Sequence, residues 1–286
     1  MGVEVIVWIQ QVSSPFFDAI FQSITMLGEE FFYIAALTLV YWCIDKQYGA
    51  QLSYVFFLSA VSNQVLKVTF ATDRPIGTDG IRTLREHTAG GYAFPSGHTQ
   101  NTATFWYFLM ITLRRRWLTI LGTVIIILMA LSRLYLGVHW PADVIGGIIF
   151  AVIFVHIGRM LYTYGFTKKH YLLPIVLGAA TLPFVFFVPD KNYAVTASIL
   201  AGASLGFFIE QERISYTIPG ELAWKIVYYV TGLAVLLIIK EGFKLFLAPS
   251  PLTDMIRYLL IGFWAAAGAP WMFSRIELKR THTVKT

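Results

Sequence analysis

The sequence has 286 residues, of which 57% are hydrophobic and only 13% are charged, and its mean hydropathy is positive. This composition excludes an average soluble domain and is typical of a protein that crosses the membrane several times. The net charge of +6 fits basic residues beside membrane spans and predicts no nucleic-acid partner, and the single cysteine, Cys43, excludes an intramolecular disulfide.

The predicted elements are apolar helices, so the fold class is all-α, a polytopic membrane helical bundle with about nine spans. Residues 3–24 are apolar but interrupted by polar residues and by Pro15, which favours an amphipathic segment lying in the membrane interface over a span. Continuous apolar runs of span length follow at residues 28–44, 50–70, 95–113, 117–137, 143–164, 171–188, 194–209, 222–246 and 254–273.

These runs divide the chain into an interfacial segment at residues 1–26, a core at 27–168 and additional spans at 169–286. Lys and Arg collect mainly in the loops of one side, among them Arg114 to Arg116, Lys168 and Lys169. Because basic loops stay in the cytoplasm, we expect a multi-pass cell-membrane protein with a cytoplasmic C-terminus. On this topology the three polar clusters described next all lie on the extracytoplasmic face.

The first cluster, Arg133, His139 and Asp143, stands between two long apolar runs, where ionisable groups are costly unless a partner or water compensates them. Pro141 suits the first turn of a helix and places Asp143 one turn after His139. Asp143 would then accept a proton from one imidazole nitrogen and leave the other free as a nucleophile. The alternative is structural: an arginine at the membrane edge beside a hydrogen-bonded histidine.

Two further clusters also lie at the ends of apolar runs. Lys67 is followed after six residues by Arg74-Pro75, and Pro95-Ser96-Gly97-His98 opens the next run. Ser96 has the position of an N-cap, with the amides of Gly97 and His98 at the positive end of a helix. A helix start of this kind, with guanidinium and ammonium groups nearby, favours binding of an anion such as phosphate.

The three clusters together closely resemble the signature of the type 2 phosphatidic acid phosphatase superfamily, the histidine lipid phosphatases. They occur in the family's order and spacing, and no signature position departs from it. The resemblance covers roughly residues 25–165, and Gly28-Glu29-Glu30-Phe31 looks like the bacterial branch that is similar to sphingosine-phosphate phosphatases. It implies a lipid phosphatase core of the six-helix type, at residues 27–168, and leaves the C-terminal spans unexplained.

The resemblance also implies residue roles. His139 attacks phosphorus and forms a phosphohistidine, Asp143 orients it, and His98 protonates the departing oxygen and later activates water. The residues implied to bind the substrate phosphate are Lys67, Arg74, Ser96, Gly97 and Arg133. Neither a cofactor nor a metal ion is expected, because carboxylates with hard-cation spacing are missing from the sequence near the signature.

The expected partners are the bilayer and a phosphorylated lipid, with undecaprenyl diphosphate ranked before phosphatidate, phosphatidylglycerophosphate and a sphingoid phosphate. In the polar loop before Phe94, Arg82, Arg85 and His87 are candidates to contact a second phosphate, with a solvated charge run as the alternative. The C-terminal spans have three open roles: homodimerisation, lipid binding or shaping the substrate's path. Two rival functions remain, a lipid phosphotransferase and a lipid transporter that uses those spans.

Overall fold

The computed structural model describes residues 2–188 and 190–283. Residues 284–286, the end of the predicted cytoplasmic tail, lie outside the described residues. Every regular element within the described ranges is helical, which confirms the all-α prediction. The α-helices are α1 Gly2–Gln10, α2 Pro15–Met26, α3 Glu30–Leu39, α4 Lys46–Phe70, α5 Gly97–Leu113, α6 Arg116–Tyr135, α7 Pro141–Tyr162, α8 Leu172–Ala180, α9 Lys191–Ile209, α10 Leu222–Phe246, α11 Pro251–Phe263 and α12 Ala269–Thr283.

Several helices begin where the sequence supplies a capping side chain. Ser14 Oγ accepts a hydrogen bond from the Phe17 amide at 3.4 Å, and Pro15 occupies the first turn of α2. Ser96 caps α5 in the same way through the Thr99 amide at 3.5 Å, as the sequence predicts. Such caps satisfy amide groups that have no partner within the helix and therefore fix where each helix starts.

The chain is a multi-pass membrane protein. Five helical segments are long and apolar enough to cross a bilayer: Arg116–Tyr135, Pro141–Thr167, Lys191–Ile214, Leu222–Leu245 and Pro251–Leu278. The pair Pro15–Met26 and Glu30–Ile44, bent by 48°, provides a sixth if it counts as one broken span.

The structure thus shows five or six spans, and the predicted number of nine is not shown. The predicted span 50–70 is a helix but carries Asn63, Gln64 and Lys67, which lower its hydropathy. The predicted span 95–113 is a helix of only 17 residues. The predicted span 171–188 ends as an α-helix at Ala180 and continues as a 3₁₀ turn, Leu182–Phe186, with Pro183 near its start.

The described chain forms two compact units, each built from separate stretches. One unit comprises Met1–Tyr33 and Ser59–Ile157, and the other comprises Ile34–Leu58 and Gly158–Thr286. All three polar clusters belong to the first unit. The boundaries predicted from the sequence, after residues 26 and 168, follow the apolar runs and not the compactness of the fold. That division stays a prediction.

Tyr135 is a centre of packing in the first unit. Its ring stacks on Phe21 of α2 with centroids 4.3 Å apart, and its hydroxyl donates to Asp18 Oδ1 at 2.5 Å. Gln10 Nε2 donates both to the Tyr135 carbonyl, at 2.8 Å, and to the Arg82 carbonyl, at 2.6 Å. These bonds join the N-terminal helices to the end of α6 and to the loop before α5; their placement in the membrane interface stays a prediction.

In the second unit, α9 and α11 pack with their backbones in close contact. A Cβ on Gly202 would lie 2.1 Å from the Leu259 carbonyl oxygen, so only glycine allows this approach. Glu210, 2% exposed, accepts from Lys46 Nζ at 2.9 Å and from the Tyr216 amide at 2.8 Å. Its buried charge is therefore paired, as burial of a carboxylate requires.

The glycine before the His139 segment is held in a conformation that other residues rarely adopt. Gly137 has φ +66°, and a Cβ there would lie 2.4 Å from the Arg82 carbonyl oxygen. We expect Gly137→Ala to lower the free energy of unfolding by about 1–3 kcal/mol, through backbone strain and this clash. Thermal unfolding in detergent measures the change.

Gly90→Ala is the matched control, because a Cβ at Gly90 meets no atom within 4 Å. Equal unfolding temperatures for Gly137→Ala and the unmodified protein would contradict this account of the turn.

Candidate active site

His139 lies between two side chains that fix the position of its proton. Its Nδ1 is 3.1 Å from Asp143 Oδ2, and its Nε2 is 3.0 Å from Arg74 Nη1. An ionised carboxylate can only accept a hydrogen bond and a guanidinium can only donate one. The neutral ring therefore carries its proton on Nδ1 and its lone pair on Nε2.

The start of α7 holds Asp143 in this position. Pro141 opens the helix, and Asp143 in its first turn also accepts the Trp140 amide on Oδ2 at 2.8 Å. The Asp143 carbonyl accepts the Ser96 amide at 2.9 Å, which ties the start of α7 to the start of α5. The starts of α7 and α5, which carry residues of two clusters, are thus in direct contact.

Lys67 and Arg74 are held mainly by backbone carbonyl oxygens of the loop before α5. Lys67 Nζ donates to the carbonyls of Tyr92 and, at 3.4 Å, Ala93. Arg74 donates to the carbonyls of Gly90, at 2.7 Å, Gly91, at 2.9 Å, Tyr92, at 3.2 Å, and Val138, at 2.9 Å. Because both bind the Tyr92 carbonyl, their positive charges lie side by side.

The N-terminus of α5 brings Ser96, Gly97 and His98 to the same region. Ser96 is fully buried, and Gly97 and His98 occupy the first helical positions, where amides have no carbonyl within the helix to bind. His98 Nε2 is buried and has no hydrogen-bond partner within residues 2–188 and 190–283. A ring nitrogen of this kind is available to exchange a proton with a bound molecule.

Arg133 is fully buried at the end of α6. Its Nη1 donates to Thr25 Oγ1 at 2.5 Å. Its Nε and Nη2 have no partner among the described residues. Burial of a guanidinium with unsatisfied donors costs free energy, and phosphate oxygens match the geometry of those donors.

Burial lowers the pKa of His139 well below its ordinary value of 6.5, and the positive charges of Arg74, Arg133 and Lys67 lower it further. Since their charges lower this pKa, the three side chains lie close enough to the ring to act on it electrostatically. A neutral imidazole with its lone pair on Nε2 is able to act as a nucleophile near neutral pH.

Sequence reasoning missed some of the contacts around the site. Asn63 lies beside the site and donates to the Pro95 carbonyl at 3.2 Å and to Gln100 Oε1 at 2.8 Å. Gln100 and Thr25 were not foreseen. Thr25 meets Arg133 across 108 positions of sequence, and no local pattern indicates that contact.

His156 Nε2 lies 3.0 Å from the Tyr107 hydroxyl, a contact typical of a structural histidine. Glu29 accepts from Arg85 Nη2 at 2.5 Å. In the described part of the chain, no three His, Cys, Asp or Glu side chains are grouped so that they could hold a metal ion. Independence from metal stays a prediction.

Two family models match the sequence. Residues 48–169 match the PAP2 superfamily, and residues 194–281 match the transmembrane extension of PAP2 superfamily phosphatases. The first match contains all three polar clusters, and the second covers most of the C-terminal spans.

Curated relatives carry several different names. A probable sphingosine-1-phosphate phosphatase of Dictyostelium discoideum is 32% identical over 72% of this chain and 56% of its own length. An undecaprenyl-diphosphatase of Sulfolobus acidocaldarius is 35% identical over 42% of this chain and 58% of its own length. Phosphatidylglycerophosphatase B of Bacillus subtilis is 28% identical over 48% of this chain and 70% of its own length.

The chain spans little more than half the length of the first of these relatives, 56%, so the similarity concerns a part of that protein. The three clusters have the order and spacing of the family signature and lie in one unit, and two models of the same family match the sequence. The chain belongs to the PAP2 superfamily and carries that family's transmembrane extension.

Proposed function

We propose that this protein hydrolyses the phosphate of a phosphorylated or diphosphorylated membrane lipid. The observation that carries the proposal is Arg133, a fully buried guanidinium whose Nε and Nη2 lack partners in the described chain. A phosphate group supplies oxygens at the right geometry for both donors and a negative charge to offset the burial. Arg74, Lys67 and the start of α5 add further donors around the same anion.

In the first step, the His139 Nε2 lone pair attacks phosphorus in line with the departing oxygen. The bond from phosphorus to that oxygen breaks. His98, which takes up a proton when the negative phosphate offsets the surrounding positive charges, supplies this proton to the departing oxygen. Arg74, which holds Nε2 at 3.0 Å, transfers its hydrogen bond to a phosphate oxygen as the new N–P bond forms. Asp143 stabilises the positive charge that develops on the imidazole.

In the second step, water replaces His139 on phosphorus. His98, now neutral, removes a proton from the water as its oxygen attacks the phosphohistidine. The N–P bond breaks, inorganic phosphate leaves, and His139 regains its lone pair. Through both steps, the equatorial oxygens are held by Lys67, Arg74, Arg133, Ser96 and Gly97. The cycle needs no metal ion.

The substrate is an amphiphile, because the site lies in a unit built around membrane-spanning helices. The relatives' names include a sphingoid phosphate, an undecaprenyl diphosphate and a phosphatidylglycerophosphate, all of which join a phosphate to a long apolar tail. The distribution of Lys and Arg favours a site on the extracytoplasmic face and a cytoplasmic C-terminus. A carrier-lipid diphosphate fits that side of the membrane and is the first substrate to test.

Replacement of the nucleophile tests this function. We expect His139→Ala to lower phosphate release from every accepted lipid by at least about a thousandfold, since no other group attacks phosphorus. The assay uses purified protein, EDTA and four lipids: undecaprenyl diphosphate, phosphatidate, phosphatidylglycerophosphate and sphingosine phosphate. The unmodified protein is expected to release phosphate from at least one of them.

His156→Ala is the matched control, because His156 contacts Tyr107 and not the site. Its turnover should stay within about twofold of the unmodified protein, as for a variant away from the chemistry. Near-native turnover by His139→Ala would refute the nucleophile. Activity that is absent in EDTA and restored by magnesium would refute the metal-free mechanism.

The protonation of His139 can be measured directly. Burial and the three cations hold its pKa well below 6.5, so the ring should stay neutral as pH falls to that value and gain its proton only below it. The stability that this shift contributes is present above the ordinary imidazole pKa and is lost as pH falls through the folded value. NMR titration of labelled histidine, assigned by the signal missing from His139→Asn, reports the midpoint. A midpoint at or above 6.5 contradicts the burial and charge described for the ring.

A further inference from the structure

The end of α2 and the turn that follows it, residues 25–29, contact three side chains of the site region. Thr25 Oγ1 accepts from Arg133 Nη1 at 2.5 Å, and Glu29 Oε1 accepts from Arg85 Nη2 at 2.5 Å. Gly28 lies so close to His98 that a Cβ on it would be 2.8 Å from the ring carbon Cδ2. This turn precedes residues 48–169 of the family match, so the match assigns it no part in the site.

Arg85 has a donor that the protein leaves unused. Its side chain is only 17% exposed, and its Nε is buried without a hydrogen-bond partner among the described residues. Its backbone has φ +55°, in the left-handed region that non-glycine residues rarely adopt. A strained backbone that carries a buried, unpaired donor is typical of a ligand-binding position.

Arg82, in the same loop, has a guanidinium group that is paired and a side chain that is more exposed than that of Arg85. Its Nη1 and Nη2 bind the two carboxylate oxygens of Asp18 at 2.8 and 2.6 Å, and Nη2 also lies 3.3 Å from the Tyr135 hydroxyl. Its side chain is 41% exposed. Arg82 therefore holds the loop against α2 and α6, whereas Arg85 keeps a donor for another molecule.

The location of Arg85 indicates which part of a substrate it meets. Glu29 binds Arg85, and the preceding residue, Gly28, lies against the His98 ring. In the proposed mechanism His98 protonates the departing oxygen, so Arg85 lies on the leaving-group side. In a lipid diphosphate, that side carries a second, charged phosphate; in a lipid monophosphate it carries an uncharged ester oxygen and the tail.

We propose that Arg85, oriented by Glu29, binds the phosphate that stays on the lipid and makes the site selective for diphosphates. This inference rests on the proposed function and specifies its substrate class. His139 attacks the terminal phosphorus, the bond from that phosphorus to the bridging oxygen breaks, and the oxygen leaves on a lipid monophosphate with the proton from His98. Arg85 Nε donates to the phosphate that retains this oxygen and stabilises its increasing negative charge.

The test compares kcat/KM for an isoprenoid diphosphate and for the monophosphate of the same tail, with the full-length protein in detergent. We expect Arg85→Ala to lower the selectivity ratio, kcat/KM for the diphosphate divided by kcat/KM for the monophosphate. The expected fall is roughly tenfold to a hundredfold, the usual effect of losing a charge-assisted hydrogen bond. Arg85→Lys keeps the charge but lacks the guanidinium fork, and should give an intermediate ratio. An unchanged ratio in both variants overturns the inference.

Arg82→Ala is the matched control. Because Arg82 forms an ion pair with Asp18, its replacement should leave the ratio unchanged. An equal fall in the ratio for Arg82→Ala would mean that disturbance of the loop, and not Arg85, sets selectivity. If the unmodified protein hydrolyses the monophosphate and not the diphosphate, this inference fails and the proposed function stands. If it releases phosphate from neither lipid but does so from another lipid of the four-lipid panel, this inference also fails and the proposed function stands. If it releases phosphate from none of these lipids, the proposed function fails.

Discussion

The site depends on the burial of a guanidinium that the protein only partly satisfies. Arg133 is fully enclosed, and of its donors only Nη1 has a described partner, the Thr25 hydroxyl. A hydroxyl carries no net charge, so the positive charge of Arg133 remains uncompensated by that bond. Burying such a charge is costly, and folding retains it because the rest of the unit stabilises its position. A bound anion would offset this cost, so the proposed affinity for phosphate follows from the fold.

The same principle explains how the other cations are held. Backbone carbonyl oxygens bind Lys67 and Arg74 and fix the positions of the two side chains. Arg82, by contrast, pairs with Asp18 and serves to attach the loop. The loop before α5 therefore has a mechanical role in addition to any substrate contact: its carbonyls position the cations, and Leu84 and Arg82 connect it to the segment that leads to His139.

The sequence was informative where the chemistry is local. The four-residue spacing predicts the His139–Asp143 contact, and Ser96 predicts the start of α5, since both depend on helix geometry alone. The contact of Thr25 with Arg133 depends on tertiary packing and has no local signal. The predicted number of nine spans is not shown, because apolar runs such as 50–70 and 171–188 contain polar or helix-breaking residues and yet resemble spans in composition. Polar residues within α4, including Asn63, have partners inside the protein that a sequence does not reveal.

The most direct test of the central claim is a structure of the protein with vanadate, a tetrahedral analogue of phosphate. The account predicts vanadate beside His139 Nε2, with oxygens within about 3.2 Å of the Arg133 Nε and Nη2 atoms. It also predicts that Arg74 Nη1 shifts from Nε2 to an oxygen of the anion. Vanadate bound elsewhere, with the Arg133 donors turned to groups of the protein, would contradict it.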